Sequence, residues 1–396
     1  MDDVSYLRSE EGAAALREVG ELALTDATRI ADTAAVRARF GDRAPVLVEM
    51  TLLRRRAPDK LAGLCPDFQV SGWLYTDEAL QQATAAPVAL HRAQRLAGRV
   101  VHDATCSIGT ELAALSGSAA RAVGSDIDPV RLAMAQHNLG GADERVDLCR
   151  ADALRPVTRD AVVVVDPARR TGGRRRFRPD DYQPRLGPLL DTYRGRDLVV
   201  KCSPGIDFDQ VRRLGFDGEI EVTSYRGSVR EACLWSAGLA GIAGPGVRRR
   251  ASVLDGGEQL TDTDPDECAV RPAGRWIIDP DGAVVRAGLV RHYAARHGLW
   301  QLDPYIAYLS GDRLPPGVRG FEVLEQLAFD ERRLRQALSA LDCGTLEILI
   351  RGVQVDPDSL RRRLRLRGSR ALSVIITRIG SGPASHAAAY VCCPSR

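Results

Sequence analysis

The feature that most constrains this chain is the spacing of its apolar segments between Arg99 and about Ala240. Strand-like runs fall at 99–105, 121–126, 146–151, 161–165, 197–201, 219–225 and 231–237. Helical or long connections separate the first five, which predicts a parallel sheet with crossovers covering both faces. Only RGSVR separates the last two, too short for a crossover helix, so the final strand must pair antiparallel. Four consecutive valines at 162–165 read as a strand buried on both sides. The fold class is therefore α/β.

The chain has 396 residues, enough for two or three domains, and a hydrophobic content of 44% is that of ordinary packed cores. No run of about 18 apolar residues occurs, so no membrane partner is expected. The first residues, MDDVSYLRSEEG, are acidic and polar where a signal peptide would be basic and then apolar, which predicts a cytoplasmic protein. Nine cysteines form no C-x-x-C pair and no Cys/His array at zinc spacing, so they read as small buried hydrophobes and no metal site is expected. Lys60 and Lys201 are the only lysines beside many arginines. Arginine clusters are accordingly weighed one by one, because compositional bias places arginine on any solvated face. The densest comprises Arg169, Arg170, Arg174, Arg175, Arg176 and Arg178, interrupted by Gly172 and Gly173.

The stretch DATCSIGTELAAL, from Asp103, joins the first strand to a helix through a turn containing Ser107 and Gly109. Backbone N–H groups at such a bend can receive a ligand. In GSDIDPVRLAMAQHNL, Asp126 ends the second strand and Pro129 opens a helix, with Asp128 placed as its N-cap. Asp152 follows the third strand. Asp166 and Pro167 follow the valine strand, where open α/β sheets bind ligands.

These pieces, in this order, resemble the class I S-adenosylmethionine-dependent methyltransferases over about 140 residues. The resemblance implies a Rossmann-like seven-stranded sheet and S-adenosylmethionine as cofactor. It assigns Asp126, with Ile127 beside it, to the ribose and adenosine; a carboxylate's two acceptor oxygens match two adjacent hydroxyls. It assigns Asp152 to the adenine amino group and Asp103 to the methionine amino group. The amides around Cys106 and Ser107 fall to the methionine carboxylate, and Gly109 to close approach. Ser107 stands where the family usually has glycine.

Residues 1–87 read as a helical domain, with Thr76 capping a helix that Pro87 ends or bends, and with Arg54, Arg55 and Arg56 on a solvated face or against phosphate. The methyltransferase domain takes 88–244. Gly241, Gly244, Pro245 and Gly246 mark the next boundary. A small α+β, ferredoxin-like region follows over 245–320, with RWIIDPDGAVVRAGLVRHYAARHG as a hairpin and then a helix. Residues 321–396 read strand, helix, strand, helix, strand, strand. That order resembles the THUMP-like domains attached to some bacterial methyltransferases, which implies a structured RNA, tRNA or rRNA, as partner and substrate. Arg361, Arg362, Arg363, Arg365 and Arg367 in DPDSLRRRLRLRG suit a basic helix face tracking a phosphate backbone, or a solvated face.

Two kinds of methyl acceptor remain open. For an exocyclic amine, Asp166 and the Pro167 carbonyl accept its two hydrogens. The amine-methylating families continue with proline and an aromatic; here Ala168 and Arg169 follow, so Arg169 is expected to stack or to grip a phosphate, with Phe177, Tyr182 or Tyr225 as candidates for the missing ring. For a pyrimidine carbon, VDPARRTGG and VVKCSPGIDF resemble the 5-methyluridine methyltransferases, which implies Cys202 as nucleophile and Glu231 near the base. A cofactor-binding RNA module without catalysis, and a methyltransferase of small molecules or proteins, are the alternatives.

Overall fold

The computed structural model describes residues 2–64, 69–140, 145–169, 178–240 and 246–395. It contains two compact units, Met1–Tyr225 with Arg230–Val247 and Arg226–Val229 with Arg248–Arg396. Arg170, Arg174, Arg175, Arg176 and Phe177, like Gly241, Gly244 and Pro245, lie outside the described residues.

The first unit opens with helices. Ser9 accepts the Gly12 N–H at 3.1 Å and starts Glu10–Gly20, whose Ala15, Leu16 and Val19 are buried. Arg54, Arg55 and Arg56 end Ala44–Arg56; Arg55 and Arg56 are exposed, as a solvated face requires, and all three are also bonded within the chain. Arg54 donates to the Trp73 and Gly72 carbonyls, Arg55 to Ala23, Gly20 and Leu22, and Arg56 to Asp77. The three guanidinium groups fasten helix and loops to one another. Thr76 does cap Asp77–Gln82, accepting the Ala79 N–H at 3.0 Å. That helix ends well before Pro87, which lies instead in the first turn of Ala86–Arg95, where a missing N–H costs nothing.

All seven expected strands form. Val146–Arg150, Arg121–Asp126, Val100–Asp103, Val162–Val165, Leu198–Cys202, Ser228–Trp235 and Glu219–Tyr225 lie side by side in that order. The first five in this order pair in parallel. Ser228–Trp235 then runs antiparallel to Leu198–Cys202, as the short RGSVR connection requires. This is the Rossmann-like sheet that the strand spacing predicted. The valine strand is buried on both faces: Val162 and Val164 join one core, Val163 and Val165 the other. The same alternation puts Val199 in the first core and Leu198, Val200 and Cys202 in the second, so Lys201 shares the face of Val199.

In the second unit, Arg249–Val253 and Glu258–Thr261 form a hairpin. A seven-stranded sheet follows, ordered Trp300–Asp303, Ile306–Gly311, Trp276–Ile278, Gly320–Ala328, His386–Pro394, Arg370–Ile379 and Cys343–Arg351. The strand–helix–strand–helix–strand–strand succession from Phe321 is present. The hairpin expected at DPDG is not. Asp281 accepts the Ala283 N–H at 2.7 Å and caps Gly282–Ala287, because the residues that suit a turn also suit a helix start. Helix Pro357–Leu364 stops where Arg365 enters the left-handed region at φ 50°. Two of its exposed arginines are bonded within the chain: Arg361 donates to the Leu346 carbonyl and Asp358, and Arg363 to Glu331. That pairing removes Arg361 and Arg363 from a free phosphate-tracking stripe.

Candidate functional site

The carboxyl ends of the parallel strands surround a cavity of about 550 Å³. Asp103, Cys106, Ser107, Asp126, Ile127, Asp152, Asp166 and Pro167 all line it. So do Thr105, Glu111, Arg131 and Lys201, whose part in the cavity the sequence reading missed. Gly109 and Cys202 are not among the lining residues.

Asp103 is buried, 3% exposed, and its Oδ1 accepts the Thr105 N–H at 3.1 Å. Burial, reinforced by the nearby Glu111 carboxylate, lifts its pKa from 3.8 to about 8. A carboxyl in this state gains most from an incoming cation. Asp126 spans two turns of chain: Oδ2 accepts the Ser107 N–H at 2.9 Å and Oδ1 the Asp128 N–H at 2.9 Å. Each oxygen keeps a second lone pair for an outside donor. Asp128 caps Pro129–Asn138, accepting from the Val130 and Arg131 amides. Asp152 is exposed and accepts the Leu154 N–H at 2.9 Å. Ile127 is 63% exposed at the cavity, an uncovered apolar side chain beside a carboxylate.

The turn itself corrects one expectation. The Cys106 and Ser107 amides do not face a ligand carboxylate: the first donates to the Ser125 carbonyl at 2.9 Å and the second to Asp126. They lock the loop to the second strand. Gly109 adopts φ 90°, where an L side chain is strained, and a Cβ there would also lie 2.9 Å from Leu139 Cδ1. Ser107 adopts φ 48°, the left-handed conformation that explains why glycine is usual at this place.

Asp166 leaves the valine strand with its N–H bonded to Thr105 Oγ1 at 2.7 Å. Lys201 Nζ donates to Asp166 Oδ2 at 2.5 Å and stands 3.6 Å from Glu111 Oε2. Behind them, Arg92 is 1% exposed and grips Glu111 with two bonds of 2.7 Å. It also bonds to Glu231 and to Cys233 Sγ. Burial lowers the pKa of Lys201, but the Asp166 and Glu111 carboxylates outweigh it and leave the net shift upward. Burial likewise raises that of Glu111, where Arg92 and Lys201 prevail and hold it low. No single sequence motif pointed to this chain of charges; its members come from five separate segments.

Cys202 is buried in the core on the face opposite Lys201. Burial first, then Asp166 and Glu231, pushes its thiol pKa far up, the reverse of an activated nucleophile. Glu231 is held by Arg92 and does not line the cavity, so it is no base there. The pair implied for a pyrimidine carbon is thus absent from the cavity. Tyr182 is buried, and its hydroxyl accepts the Ser203 N–H at 2.9 Å, which leaves it no stacking role. The backbone of Arg169 pairs with Tyr182. Among the described residues no group of three or more His, Cys, Asp or Glu side chains could hold a metal, and no helix is long and apolar enough to cross a membrane.

Residues 318–394 match the family described as THUMP domain-like, and residues 1–57 match a domain of unknown function (DUF8688). Proteins of two Mycobacterium tuberculosis strains, CDC 1551 / Oshkosh and H37Rv, are each 78% identical over 361 residues, spanning 91% of this chain and 100% of theirs. Both are described as uncharacterized S-adenosylmethionine-dependent methyltransferases. This chain belongs to that family. The methyltransferase shares its fold with the crystal structure of a presumed methyltransferase from Porphyromonas gingivalis W83, at a TM-score of 0.74, 18% identity, and coverage of 97% of this chain and 98% of that one. Its cofactor is S-adenosylmethionine.

Proposed function

We propose that the methyltransferase acts on a nucleotide of structured RNA, tRNA or rRNA, and that the acceptor is an exocyclic amine. The carrying observation is Asp166 at the cavity, its carboxylate gripped by Lys201 through Oδ2 while no donor among the described residues reaches Oδ1. An acceptor oxygen of this kind suits an N–H donor. Cys202, which a carbon acceptor requires, faces away. The THUMP-like match over residues 318–394 supports RNA as the substrate class.

S-adenosylmethionine supplies an electrophilic methyl group when bound. In this reading Asp103 meets its ammonium group, Asp126 its ribose hydroxyls, Asp152 the adenine amino group, and Ile127 the face of the adenine ring. The raised pKa of Asp103 fits the first of these, because an ammonium partner stabilises the ionised form. Asp166 and the Pro167 carbonyl hold the two amine hydrogens, which directs the nitrogen lone pair at the methyl carbon. With the cofactor bound, transfer would form the N–C bond as the methyl–sulfur bond breaks, the electron pair staying with the departing thioether and the amine's proton passing to water. Alignment supplies most of the rate, so few side chains need act chemically.

The test is methyl transfer from tritiated S-adenosylmethionine by the purified protein to total RNA from a strain lacking it. Label in one tRNA or rRNA fraction is expected. Label in no RNA fraction overturns the RNA reading.

A further inference from the structure

We propose that Lys201 is a positioning residue for this methyl transfer: a fixed cation that aims the Asp166 carboxylate at the acceptor, itself held by the buried series Glu231, Arg92 and Glu111. The inference rests on the amine reading above and names how the acceptor's partner is kept in place.

Asp166 is the outermost member, its side chain 43% exposed at the cavity. A half-exposed carboxylate on a strand-end loop would otherwise sample several rotamers. The backbone N–H bonds Thr105 Oγ1 at 2.7 Å and fixes the main chain there, while the bond from Lys201 Nζ to Oδ2 at 2.5 Å restrains the side chain itself. A lysine is an unlikely anchor by itself, having a long flexible stem. Here the stem is buried within the sheet, and Glu111 draws the ammonium from the other side at 3.6 Å. Glu111 in turn cannot swing, because Arg92 engages both its oxygens in the forked geometry that a guanidinium and a carboxylate share. Arg92 completes its own set with Glu231.

The series alternates in charge from the core to the cavity: Glu231, Arg92, Glu111, Lys201, Asp166. Each buried member is ion-paired with at least one opposite charge, which is the condition for keeping ions out of water. Lys201 leans on one oxygen of Asp166 and leaves the other open to the cavity. With two carboxylates against it, Lys201 stays an ammonium through the ordinary pH range. It is therefore neither the proton acceptor nor a nucleophile, and its contribution passes through Asp166. Aiming errors of about 1 Å at a reacting centre cost on the order of 100-fold in rate, which sets the scale for losing the clamp.

Two measurements test this. Lys60 and Lys201 are the only lysines, so a protein carrying ¹⁵Nζ-lysine gives two side-chain signals, and K201M identifies one of them. The Lys201 signal is expected to stay in the ammonium form up to pH 10 and to move in D166N. Titration below pH 9, or no response to D166N, overturns the proposal without any RNA being involved. The second measurement is a double-mutant cycle of single-turnover rates on RNA from the strain lacking the protein. K201M is expected to slow transfer about 10- to 100-fold with the dissociation constant of S-adenosylmethionine changed less than threefold, K201R to restore most of the rate, and K201M in the D166N background to add less than twofold. An equal loss in both backgrounds, or a loss of cofactor binding in K201M, refutes action through Asp166. Absence of transfer by the wild-type protein instead strikes the RNA reading, while the nitrogen signals still decide the Lys201–Asp166 clamp.

Discussion

Replacing Asp103 by asparagine should make the ligand-free protein more stable while destroying cofactor binding. Asp103 carries a pKa raised from 3.8 to about 8 by burial and by Glu111. A carboxyl whose folded value is raised contributes stability that is fully present below the unfolded value and is lost as pH rises through the folded one. Between pH 4 and 8 the wild-type protein therefore loses stability on account of this group. At pH 7 folding must drive a proton onto a group that is ionised when unfolded; three units at about 1.4 kcal/mol each put that cost at about 4 kcal/mol at most. D103N removes it, and its amide oxygen can still accept the Thr105 N–H. Calorimetry of both proteins from pH 5 to pH 8.5 is the assay. The gap in melting temperature of the first unit should open with pH and reach several degrees at pH 8, with cofactor affinity reduced at least 100-fold. A gap independent of pH, or retained cofactor binding, refutes the reasoning.

D126A should weaken cofactor binding more than tenfold and lower stability by about 1–3 kcal/mol, since the Ser107 and Asp128 amides lose their shared acceptor; titration calorimetry checks the first, urea unfolding the second, and unchanged affinity would count against ribose recognition by Asp126. S107G should stabilise the fold by about 1 kcal/mol, because a serine at φ 48° is strained where glycine is not, although glycine's larger chain entropy gives part of this back. A destabilised S107G would show that the serine makes compensating contacts. C202A should retain methyl transfer within about threefold, and RNA containing 5-fluorouridine should form no covalent adduct with the wild-type protein; an adduct that C202A abolishes would reinstate the carbon acceptor.

The sheet was legible because its signals are local. A run such as the four valines names a doubly buried strand, and RGSVR fixes the direction of the last strand by its length alone. The aspartates at 103, 126, 152 and 166 were legible for the same reason, each following a readable strand end. The charged series was not. Arg92, Glu111, Lys201 and Glu231 stand as far as 139 residues apart in sequence, and a buried arginine pair is written in the same letters as a solvated one. Arg54 to Arg56, and Arg361 and Arg363, show the ambiguity from the other side, since basic residues that suited phosphate are bonded within their own chain. The DPDG segment failed differently: aspartate ahead of glycine serves a turn and a helix N-cap equally, and only the packing of Gly282–Ala287 decides.

Mass spectrometry of nucleosides from total tRNA and rRNA, compared between cells with and without this protein, settles whether the methyltransferase modifies an RNA base amine. One N-methylated nucleoside should disappear without the gene and return with the wild-type copy but not with D166N. Identical nucleoside profiles, or loss of a carbon-methylated pyrimidine instead, would contradict it.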